Sequence, residues 1–76
     1  MQNATFADEP GIWMVSSGDR LAFRHFLSEA LLYAYERSTQ TTAMPKIAQI
    51  GQNRELDSSA IMQGWRDLGL RLPYRR

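Results

Sequence analysis

Ser16, Ser17, Asp19 and His25 supply the residue types of a nucleophilic triad within one short stretch. A triad works only when a base lies within hydrogen-bond reach of the nucleophile and a buried acid orients that base. Asp19 and His25 stand six positions apart, which is out of registry on a helix of 3.6 residues per turn. Asp19 also has a simpler use, because Ser16 followed by an acid three residues later has the spacing of a helix capping box. His25 is the only histidine and there is no cysteine, so a closed zinc site has no ligand set. Glu29 and Glu36, seven apart, read as two solvated carboxylates on one helical face. No glycine-rich phosphate loop is present. These residues predict a protein that is not an enzyme, with no metal, no cofactor and no small-molecule substrate.

The elements that would position these side chains read as helices. Ser16 to Asp19 announces a long helix over about 17–37, with apolar positions at Leu21, Phe23, Phe26, Leu27, Ala30, Leu31 and Ala34 in an i, i+3, i+4 rhythm. Pro45 suits the first turn of a second helix, about 45–54, with Met44, Ile47, Ala48 and Gly51 on one side. Asp57 suits the N-cap of a third, about 58–68, burying Ile61, Trp65 and Leu68, with Gly69 closing it. Residues 1–12 read as a flexible N-terminal arm, 13–72 as one helical domain, and 73–76 as a basic tail. Trp13-Met14-Val15 fits an edge strand or a clip against the core. The fold class expected is therefore all-α, a small three-helix domain.

Pro45-Lys46-Ile47-Ala48-Gln49-Ile50-Gly51 followed by Ser58-Ser59-Ala60-Ile61-Met62-Gln63-Gly64-Trp65 resembles the helix-turn-helix DNA-binding family in outline. Gly51 follows Ala48 by three positions where that family usually has four, so the resemblance calls for a turn enlarged over 52–56. It implies a transcriptional-regulator-like protein whose second helix enters the major groove of double-stranded DNA. Gln63 and Arg66 would then face base edges, and Ser58 and Ser59 would face phosphate. Lys46, Arg71, Arg75 and Arg76 would neutralise the backbone.

Composition bounds these readings. Seventy-six residues make one domain, and 43% hydrophobic content suffices for a core. A chain this small buries only about 60% of its unfolded surface, so packing or association must compensate. Net charge is +1, but residues 1–45 carry three Arg against five acids, while 46–76 carry six Lys or Arg against three. The basic end suits an anionic partner. No run approaches the roughly 20 apolar residues of a membrane helix. The first ten residues hold Asp8 and Glu9 without a basic group, unlike a signal peptide. A cytoplasmic setting is expected.

A second function class starts from the long helix. Its apolar belt, with Phe23, Phe26, Leu27, Leu31 and Tyr35, is wider than two short helices cover. An uncovered strip would serve a homodimer or a larger protein partner. The chain would then be an interaction module, or a small inhibitor or adaptor of the phage- or plasmid-borne kind.

Overall fold

A computed structural model describes residues 6–41 and 43–72. The chain runs β1 (Pro10–Ser17), β2 (Arg20–Phe26), α1 (Leu27–Ser38), β3 (Lys46–Gln49), β4 (Arg54–Leu56) and α2 (Ser58–Asp67). The strands form one antiparallel sheet in the order β2-β1-β3-β4. This overturns the expected all-α, small helical domain and, with it, the helix-turn-helix reading. Where the first helix of that motif was expected, over about 45–54, the chain forms β3, a turn and the start of β4. The described residues form two helices and one sheet.

The long helix expected over 17–37 splits at Leu27 for a local reason. Gly18 takes φ +62°, while Asp19 does not enter the positive-φ region. That combination suits a two-residue hairpin turn whose first central residue is glycine. Ser17 and Arg20 are paired across it, followed by Ser16 with Leu21, Val15 with Ala22, Met14 with Phe23 and Trp13 with Arg24. Leu21, Phe23 and His25 alternate onto one face, as a strand requires. Apolar positions 23, 26 and 27 satisfy a helical rhythm equally well, and the hairpin decides between the two.

Trp13-Met14-Val15 is neither an edge nor a clip. It is the middle of β1, paired to β2 on one side and to β3 on the other. Trp13 and Val15 are fully buried beneath the helices, with Leu27, Ala30, Leu31, Ala34, Ile47, Ile61 and Trp65 completing the core. α1 lies across β1 and β2, and α2 lies against α1 and β4. The shortest extent of the molecule is 16 Å. That leaves room for one sheet and one layer of helices about 10 Å thick. Among the described residues no helix covers the second face of the sheet. Among the described residues no helix is long and apolar enough to cross a membrane.

The segment expected to be a flexible arm is tied down from Asp8 onward, and its strand begins at Pro10. Phe26, the N-cap of α1, offers no side-chain cap. Asp8 supplies one from far along the chain, accepting 2.8 Å and 2.7 Å bonds from the Ser28 amide and hydroxyl. Desolvation pushes the Asp8 carboxyl up, but the bonds from Ser28 and from the Glu9 amide outweigh it and hold the carboxyl below its usual range. Glu9 is also lowered, chiefly by the hydrogen bond from Arg54, whose guanidinium lies 5.5 Å from the centre of the Trp13 ring. Because both carboxyls titrate lower folded than unfolded, their contribution is present above the unfolded value near pH 4 and is lost as pH falls through the folded value. Asp8→Ala should therefore cost up to about 1 kcal/mol at pH 6, as for other lost caps. The difference from the parent should shrink as pH falls through the folded Asp8 value, which lies below 3.8. Chemical denaturation across pH 2–7 measures this, and a difference of the same size at every pH rules out the carboxylate cap.

α2 begins at Asp57, whose side chain accepts a 2.8 Å bond from the Ala60 amide. It ends in paired C-terminal bonds, with the Gly69 amide donating to Arg66 and the Leu70 amide to Trp65. These are the two bonds of a Schellman closure, with Gly69 at φ +81°.

Candidate functional site

The uncovered face of the sheet is the most extensive candidate surface. Strand alternation places Ile12, Met14 and Ser16 of β1 on it, with Leu21, Phe23 and His25 of β2. Register adds Lys46 opposite Ser16, Ala48 opposite Met14 and Glu55 opposite Ala48. Phe23, Met14, Ala48 and Glu55 thus form one row across the four strands. Ile50 extends the face past the end of β3, where its amide donates a 2.8 Å bond to the Ile12 carbonyl. Ile12, Leu21, Phe23 and Ile50 are 51%, 59%, 48% and 45% exposed. A group of large apolar side chains left in water on one face is the kind of surface that marks an interaction site.

The residues expected to form a protein interface on a long helix are dispersed. Leu27 and Leu31 are core residues, 7% and 1% exposed. Tyr35 is half-buried, edge-on to Trp65 at 5.5 Å, with its hydroxyl donating to the Arg71 carbonyl. Phe26 ends β2, and Phe23 is the member that reaches the open face. The strand period of Leu21-Phe23-His25 and Ile12-Met14-Ser16, with Gly18-Asp19 between, was the sequence signal that could have found this surface.

The residues expected to contact DNA are also separated. Ser58, Ser59, Gln63 and Arg66 are exposed on α2. Gln63 bonds to Asp67 at 2.9 Å and accepts a 3.4 Å contact from Arg66. Lys46 and Ser58 line one shallow depression of about 300 Å³, together with Glu55 and Asp57. Two carboxyl side chains there oppose a phosphate. Ser59, Gln63, Arg66 and Arg71 do not line it. Arg75 and Arg76 lie outside the described residues.

Nor do the triad-type residues converge on a reactive centre. Ser17 is buried on the helix side of β1, and its hydroxyl has no hydrogen-bond partner among the described residues. Asp19 lies in the hairpin turn, and His25 is exposed on the opposite face. A wide-open concavity of about 600 Å³ runs along the outer side of α1 between Arg24, Glu29, Leu32, Tyr33 and Glu36. Arg24 lies over the Tyr33 ring at 4.7 Å there. Among the described residues no group of three metal-ligating side chains comes together. No protein-family model matches the chain, and no curated protein or solved structure is detectably similar to it.

Proposed function

We propose that this chain is a non-catalytic binding module that docks a partner protein on the open face of its sheet, in the cytoplasm. The observation that carries the reading is the exposed apolar group Ile12, Leu21 and Phe23 on two paired strands, with Ile50 beside them in the turn after β3. Phe23 is its aromatic centre, flanked by Met14 in the next strand. Aromatic anchors surrounded by smaller contacts dominate the energy of most protein interfaces. The charged groups of this face are Lys46 and Glu55, so its balance is near neutral and suits an apolar protein surface. A DNA backbone requires several cations on one surface. Here Lys46, Arg66 and Arg71, the described cations expected to meet a nucleic acid, are spread over different parts of the fold.

The test compares capture of a cellular partner by the parent and by two pairs of variants. Phe23→Ser with Leu21→Ser should reduce partner affinity at least tenfold, equivalent to about 1.4 kcal/mol. Thermal stability should fall far less than affinity, because about half of each side chain is already in water. Ser59→Ala with Arg66→Ala should leave capture unchanged. The opposite pattern, joined to steeply salt-dependent binding of duplex DNA lost on Arg66→Ala, would overturn the proposal.

A further inference from the structure

We propose that a second copy of this chain adds to the β2 edge in antiparallel fashion, joining the two sheets into one and keeping every helix on the same side. The inference goes beyond docking on the open face and does not rest on it, since it uses main-chain groups at the edge.

Among the described residues β2 is paired on one side only. Ser17 and Arg20 face each other across the hairpin turn. In a two-residue hairpin that pair is hydrogen-bonded, and the pattern alternates from there. The amides and carbonyls of Ala22 and Arg24 therefore point to β1, and those of Leu21, Phe23 and His25 point outward. The Phe23 carbonyl agrees, because it accepts a 2.8 Å bond from the Arg24 guanidinium instead of a strand amide. β2 spans seven residues without proline or lysine. Proline would block an edge outright, whereas the charged side chains β2 does carry, Arg20 and Arg24, only weaken pairing there. The other edge, β4, has three residues and makes a poor template.

Overlap and charge together select the register, since only an axis through Phe23 pairs all seven residues of β2. A two-fold axis through Phe23 sets Phe23 against Phe23 of the second copy, Leu21 against His25, Ala22 against Arg24, and Arg20 against Phe26. No like charges are then directly opposed. An axis through Ala22 opposes Arg20 and Arg24, and an axis through Arg24 opposes the two Arg24 residues, which is unfavourable for cross-strand neighbours. In the Phe23 register the outward groups of Leu21, Phe23 and His25 meet their counterparts as hydrogen-bonded pairs. The Phe23 amide of the second copy takes the position now filled by Arg24, so Arg24 competes with association. Only one strand edge is covered, and interfaces this small are transient.

The chain has no cysteine, so single introduced thiols report the register without background. Phe23→Cys should give a disulfide-linked dimer on mild oxidation, because a hydrogen-bonded antiparallel pair has Cα atoms about 5.5 Å apart. Leu21→Cys alone and His25→Cys alone should not, since the same position in the two copies is then offset by about 13 Å along the strand. A mixture of those two should cross-link. In sedimentation at up to about 1 mM, an accessible upper range for a transient interface, Arg24→Ala should tighten association several-fold. His25→Pro, which removes an outward amide, should abolish it with the circular dichroism spectrum retained. Equal cross-linking of all three single variants, or none by Phe23→Cys, overturns the proposal. Partner capture by the His25→Pro monomer separates the two readings, because the edge is then blocked while the apolar face is intact.

Discussion

Trp65→Ala is expected to destabilise the protein by about 3–5 kcal/mol, the range for deleting a buried aromatic side chain. The whole domain should have only about 4–11 kcal/mol of stability at its size. At the lower end of that range a substantial unfolded population at 37 °C follows. Trp65 is fully buried where α2 meets α1, edge-on to Tyr35, and its indole donates a 2.9 Å bond to the Leu31 carbonyl. It joins the two helices by area, by ring geometry and by a buried polar contact. Trp65→Phe separates these contributions. It keeps most of the area but loses the bond, and the Leu31 carbonyl keeps its partner within α1, so the expected cost is about 1–2 kcal/mol. Urea unfolding followed by fluorescence of Trp13 measures both variants. A neutral Trp65→Phe would show that the indole bond contributes nothing to holding the helices together.

Gly64→Val should be the second most damaging substitution, near the upper end of the roughly 1–3 kcal/mol typical of overpacking. Gly64 lies within α2, where alanine would ordinarily be favoured by about 1 kcal/mol. A Cβ at this position would stand 2.7 Å from Leu31 Cδ1 and 3.1 Å from Cδ2. Leu31 is itself fixed in the core and cannot swing aside. The glycine therefore lets the two helices approach closely, and its helical cost is offset by that contact. Gly64→Ala should also destabilise, by a smaller amount. Combined with Leu31→Ala it should cost less than the two single changes together, because the second substitution removes the obstructing methyl groups. Strict additivity in that double-mutant cycle would show that the methyl contact does not limit the site.

Both predictions concern the helix layer, whereas partner docking and edge pairing concern the sheet. The two sets of variants should behave independently. Changes at Trp65 and Gly64 should lower stability, and changes at Phe23, Leu21 and His25 should alter association. Phe23 has a place in both surface proposals, one through its side chain and one through its main chain. His25→Pro and Phe23→Ser distinguish these.

The sequence by itself determined α2. Asp57 accepting from Ala60, the inward period of Ile61 and Trp65, and the Gly69 closure are local signals that agree with one another. It also determined the inner stripe Leu27, Ala30, Leu31 and Ala34 of α1, although not where that helix begins. Tertiary structure decided the remainder. Ser16 to Asp19 satisfies both a capping box and a hairpin turn, and Phe23 belongs both to a helical rhythm with Phe26 and Leu27 and to a strand rhythm with Leu21 and His25. Pairing of β1 with both β2 and β3 settles these ambiguities, because burying Trp13 and Val15 between two partners requires the extended form. Lys46–Gln49 is too short for periodicity to identify, and it becomes a strand because β1 supplies its hydrogen bonds. The open face was hidden for the same reason. Its members come from β1, β2 and β3, and only the sheet register brings them onto one surface.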